Sequence, residues 1–72
     1  MRKNEVILSQ EPVELYKILK FENLVASGGE AKAVIQAGHV RVNGTVETRK
    51  RRKIVSGDVI SFGEEEWRMR RG

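Results

Sequence analysis

Apolar residues recur along this chain in two periods, and the change of period divides it. Leu15, Ile18 and Leu19 fall at i, i+3 and i+4, which is the spacing of one helical face. Pro12, the only proline, is tolerated in a first helical turn, where its missing N–H has no intrahelical partner anyway. The pattern predicts a first helix from about Pro12 to Phe21, with Lys17 and Lys20 off the apolar face. Ser27-Gly28-Gly29-Glu30 matches a capping box. In that motif the serine hydroxyl accepts from the Glu30 amide and the Glu30 carboxylate returns to the Ser27 amide. Ala31, Val34 and Ile35 supply the buried stripe of a second helix, which Gly38 ends. Its other face carries Gly29, Lys32 and Gln36, with His39 just past the end.

From residue 40 the period is two. Val40 and Val42 alternate with Arg41, as in a half-buried strand. Asn43-Gly44 suits a tight hairpin turn, since both residues tolerate positive φ, and Thr45-Val46-Glu47 returns. Ser56-Gly57-Asp58 marks a further turn before a strand at Val59–Phe62. Gly63 and three glutamates turn the chain again, and Trp67 and Met69 alternate with Arg68 and Arg70 in a last strand. Upstream, Glu5–Leu8 reads as a short strand. Trp67, Met69 and Phe62 are expected in the core, and Tyr16 and Phe21 at its edge, which leaves no exposed ring for stacking. The order β, α, α, then strands predicts a small α+β domain, two helices on one side of a small twisted sheet.

Length and composition narrow the class. The 72 residues have room for one core, so the expectation is one domain spanning 1–72. The absence of cysteine removes disulfides and thiolate metal sites. The basic start Met1-Arg2-Lys3 is followed by too short an apolar run for a signal peptide or membrane span. The expected setting is the cytoplasm, without a membrane partner. A single histidine cannot build a histidine-rich metal site, and Asp58, after Gly57 in a turn, is read as satisfying its own backbone, so neither a serine triad nor a small-molecule substrate is expected. No cofactor, metal or catalytic residue is expected.

Charge points elsewhere. The formal net charge is +4, and Arg49, Lys50, Arg51, Arg52 and Lys53 form an uninterrupted basic run. Such a run suits a polyanion, although short basic runs also occur as solvated loops. Five adjacent like charges repel one another, a cost that an anionic partner offsets. The start of the second helix is a second candidate, because its free amides and dipole end attract phosphate. Gly28 and Gly29 either let a backbone approach there or merely shape the interhelical turn. The polar face with Lys32, Gln36 and His39 is a third candidate, and alone it reads as an ordinary wet face.

Together these residues carry a resemblance. Ala31-Lys32, Val34-Ile35, Gly38-His39-Val40-Arg41-Val42-Asn43-Gly44 and Gly57-Asp58-Val59-Ile60 resemble the RNA-binding domain of ribosomal protein S-four, the αL motif, over roughly residues 13–62. The stretch from Glu47 to Ile54 looks most like the stand-alone YbcJ-type bacterial branch of that family. The resemblance implies an αL fold and non-catalytic binding of structured RNA, ribosomal or another stem-loop RNA, with ribosomal proteins as further partners. By position it implicates Lys17, Ser27, Lys32, Gln36, His39, Arg41 and Asn43, and Lys20 and Arg49–Lys53 join them from their charge. Two departures matter. Glu14 stands where many members have an arginine, and Gly28-Gly29 where many have Arg-Ser. The basic run is expected to compensate by moving the electrostatic weight toward the sheet side. The alternatives are a ribosome-associated protein adaptor without RNA contact and a DNA-binding module, the latter disfavoured because neither helix is long and basic enough to read a major groove.

Overall fold

The structure, a computed structural model, describes residues 2–72, without the side chain of Arg2; Met1 of the basic start lies outside the described residues. Along the chain run β1 (Arg2–Leu8), β2 (Val13–Glu14), α1 (Leu15–Phe21), α2 (Gly28–Gln36), β3 (Val40–Val42), β4 (Thr45–Val46), β5 (Lys53–Ile54), β6 (Val59–Phe62) and β7 (Glu65–Arg71). The main sheet has the order β1-β7-β6-β3-β4, and β2 and β5 form a separate antiparallel pair. β1 lies parallel to β7, while the other main-sheet pairs are antiparallel.

The period-two residues face inward as their spacing demands. Val6, Leu8, Val40, Val42, Ile60, Trp67 and Met69 are buried, and they meet Leu15, Ile18 and Leu19 of α1 and Ala31 and Ile35 of α2 in one core. Full burial of an aliphatic side chain contributes about 1.5–3 kcal/mol. The opposite sheet face carries Lys3, Glu5, Arg41, Arg68 and Arg70, all exposed. The fold is thus α+β with both helices on one side of the sheet.

Several boundaries differ from the sequence expectation, each for a tertiary reason. α1 begins at Leu15 rather than Pro12, because Val13 and Glu14 are extended and pair with Ile54 and Lys53. β1 and β7 are longer than their alternation suggests, and Glu65 and Glu66 belong to β7 rather than to a turn. The parallel register Arg2↔Glu65 to Leu8↔Arg71 extends both strands. Ser27 caps α2 by accepting from the Glu30 amide at 3.2 Å, while the return bond from the Glu30 carboxylate is not formed among the described residues. Phe62 is half-buried against the core. Phe21 is 66% exposed, not at the core edge, because α1 ends there and the chain turns away through Asn23 at φ 58°.

Asn43 and Asp58, distant in sequence, are joined in space. Asn43 takes φ 54° in the hairpin. Its Nδ2 donates to Asp58 Oδ1 at 3.0 Å, and its Oδ1 accepts from the Val59 amide at 2.9 Å. Asp58 Oδ2 accepts from the Val55 amide at 3.0 Å. The Asn-Gly turn and the Gly-Asp turn therefore form one hydrogen-bonded unit.

Candidate nucleic-acid interface

The basic run folds as an ordered loop because one buried acid holds it. Glu47 is 6% exposed, a costly place for a carboxylate unless it is paired and hydrogen-bonded. Its Oε2 accepts from the Arg49 amide at 2.9 Å and from Arg49 Nε at 3.0 Å. Its Oε1 accepts from Arg49 Nη2 at 3.1 Å and Arg52 Nη1 at 2.8 Å. Hydrogen bonds from Arg49, then Arg52, outweigh desolvation and hold the Glu47 carboxyl down at about 2. The same contact raises the pKa of Arg49. The Glu47 amide donates to the Val40 carbonyl at 2.9 Å, which ties this cluster to the sheet.

The loop is also bound to α1. The Leu15 amide donates to the Arg52 carbonyl at 2.9 Å, and the Tyr16 amide to the Lys50 carbonyl at 3.1 Å. These are orphan donors of the first helical turn, and Glu14 supplies no side-chain cap. The loop thus caps α1 with its own carbonyls. The basic run is thus anchored through its backbone to the start of α1. It lies against the start of α1, beside Glu14, the position where the expected family arginine is missing.

Tyr16 connects loop and helices. Its amide meets the loop, and Lys32 Nζ lies 4.8 Å from its ring centroid, a cation–π distance. The backbone of Tyr16 thus touches the loop while its ring touches Lys32 of α2. Arg49, Arg51, Arg52 and Lys53 line a shallow concavity of their own. Two of its four cations, Arg49 and Arg52, are engaged by Glu47. Lys50, Arg51 and Lys53 have no ion pair among the described residues.

The other expected site residues divide. Lys17 is paired with Glu14 at 3.3 Å, and Lys20 is exposed one turn further along α1. Ser27 is committed to its capping bond. Gln36 and His39 are exposed at the far end of α2. Arg41 lies on the sheet face opposite the helices, in register with Val46 and Ser61, and so is not brought to the same surface. Asn43 spends its amide on Asp58 and Val59. A side chain at Gly28 would meet nothing within 4 Å, and neither Gly28 nor Gly29 has positive φ, so the fold itself does not require glycine there. Sequence reasoning missed Glu47; the available signal was an acid two residues before Arg49 and five before Arg52.

A capped helix pair, a hairpin locked to a Gly-Asp turn and a basic loop seated on the first helix define the class of domain. A sequence profile of the S4 domain matches residues 6–70, and the chain belongs to that family. Among its relatives is the Escherichia coli K12 protein named "Putative RNA-binding protein YbcJ", 54% identical over 50 residues, covering 69% of this chain and 71% of that one. The Bacillus subtilis protein named "Probable ribosome maturation protein RlbA" is 33% identical over 59 residues, covering 82% of this chain and 83% of that one. The solution structure of E. coli YbcJ, described as revealing an αL motif involved in RNA binding, matches with a TM-score of 0.67 at 40% identity, over 97% of this chain and 87% of that one.

Proposed function

We propose that this protein binds structured RNA, ribosomal or another stable stem-loop RNA, without catalysing a reaction on it. The observation that carries the reading is the docking of the basic loop onto the start of α1, where the Tyr16 ring also meets Lys32 of α2. A loop whose backbone is fixed by a folded scaffold presents its cations to the phosphates of a folded RNA at a lower ordering cost than a flexible basic tail. Lys50, Arg51 and Lys53, with Lys20 and Lys32, offer about five phosphate contacts. The exposed start of α2 adds amides beside them. Binding then releases counterions, and affinity falls roughly 10²- to 10³-fold between 50 and 200 mM salt. The relatives named for RNA binding and ribosome maturation support the same reading, and the second name favours ribosomal RNA; the proposed setting is the cytoplasm. No helix among the described residues is long and apolar enough to cross a membrane.

A ribosome-associated adaptor is the second reading. It is favoured by β1, a terminal strand of the sheet, and by Ile7, which is 60% exposed. An unpaired strand edge can accept a partner strand. Titration with stem-loop RNA tests the first reading. Retention of a protein partner after nuclease treatment, without RNA affinity, would favour the second.

A further inference from the structure

Among the aromatic side chains, Trp67 is buried, Phe62 packs on the core and Tyr16 is covered by Lys32. Phe21 differs, with two thirds of its surface exposed. A single exposed apolar side chain requires no explanation by its presence alone; its surroundings give it meaning. Phe21 lies in the last turn of α1 and lines a cleft between that helix and β1. The same cleft is lined by Lys53 at the end of the basic loop, by Lys17 and Lys20 along α1, and by Gly28 at the start of α2. Lys17 and Phe21, four residues apart, share one helical face. Lys20 and Lys53 have no ion pair among the described residues, while Glu14 answers Lys17. From Leu15, next to Glu14, which lies opposite Lys53 in the β2–β5 register, to Phe21 the helix rises about 9 Å. That is roughly three nucleotides at stacked spacing of about 3.4 Å.

We propose that Phe21 is a stacking platform for one unpaired nucleobase, at the far end of a cleft whose other end is the basic loop. The inference rests on the RNA-binding reading and narrows its ligand to a stem with an adjoining unpaired segment. The cations of the loop take phosphates of the stem, Lys20 and Lys53 take the backbone of the unpaired segment, and the ring takes a base. Cationic grooves combined with an exposed ring are the usual means of holding unpaired nucleotides, because every base has a π-face. The ring contributes little to the core, so its replacement leaves the fold intact.

The test uses the full chain and two RNAs of equal phosphate number: a hairpin with a three-adenosine bulge, and the same hairpin with those adenosines made abasic. The wild type should prefer the adenosine bulge by roughly 5- to 100-fold. Phe21→Ala and Phe21→Leu should lose that preference and keep their affinity for the abasic hairpin, and Phe21→Trp should retain it. Equal binding of both hairpins by the wild type overturns the stacking role but leaves the phosphate-directed reading standing. A preference retained by Phe21→Leu overturns it too, since a merely apolar contact would then suffice. Unchanged RNA binding by Phe21→Ala, with loss of a nuclease-resistant protein partner, assigns the ring to protein docking instead. Failure of every variant to bind either hairpin removes the RNA-binding reading as well.

Discussion

Replacing Glu47 by glutamine should unfasten the basic loop, and the size of the effect can be worked from the site. The substitution keeps the shape but removes the charge, and it sets an amide NH2 where a guanidinium now donates. The Glu47 carboxyl falls from an ordinary 4.5 to about 2, which corresponds to about 3 kcal/mol of preference for the charged form in the folded state. The Arg49 side chain is 73% exposed and that of Arg52 32%, so solvent screening lowers the figure to about 2 kcal/mol. In a domain of this size that shifts the melting temperature by roughly 8–16 °C. Because the folded pKa is depressed, the contribution is fully present above 4.5 and is lost as pH falls through about 2. Urea unfolding of wild type and Glu47→Gln between pH 7 and 2 gives the readout. The stability difference should be about 2 kcal/mol at neutral pH, fall to roughly half by pH 3, and be small at pH 2. A difference that stays constant from pH 7 to pH 3 would refute the claim that a charged Glu47 holds the loop.

Three other outcomes follow from the same contacts. Asn43→Ala removes two hydrogen bonds to the Gly-Asp turn and places a Cβ residue at positive φ, so denaturant unfolding should show a loss of about 2–3 kcal/mol. Asn43→Gly, which loses the same two hydrogen bonds but adopts positive φ without strain, should recover about 1 kcal/mol of that. Reversing Lys50, Arg51 and Lys53 to glutamate should lower the slope of log affinity against log salt by about 3 in filter-binding titrations, with little change in melting temperature; an unchanged slope would place the RNA elsewhere. Gly28→Arg with Gly29→Ser restores the family pair in open space, and should raise RNA affinity by roughly 5- to 10-fold through one further charge-assisted phosphate contact while stabilising α2 by about 0.5–1 kcal/mol.

The elements legible in the sequence were those in which period and local chemistry agree. Ser27 caps α2 as its spacing implies, and Val40, Val42, Trp67 and Met69 face the core as alternation requires. What escaped depends on distant partners. β5 has two residues and exists because it pairs with β2, and the parallel β1–β7 ladder draws in glutamates that read as a turn. The start of α1 was misplaced because its cap comes from carbonyls some 35 residues downstream. At the candidate interface the basic run was visible, but its location and free charge were not. Glu47 engages two of its arginines and seats the loop on α1, whereas Arg41, implicated by position along the chain, belongs to the opposite sheet face. Asn43, implicated from its place in the chain, is exposed and also joins the hairpin to the Gly-Asp turn.

The most direct test of the loop–helix surface is a titration of purified, nuclease-treated protein with a stem-loop RNA, single-stranded RNA and duplex DNA of matched length, at 50 and 200 mM salt. The proposed function predicts preferential stem-loop binding that weakens roughly 10²- to 10³-fold across that salt range. Equal, weak binding to all three, or a nearly flat salt response, would contradict it.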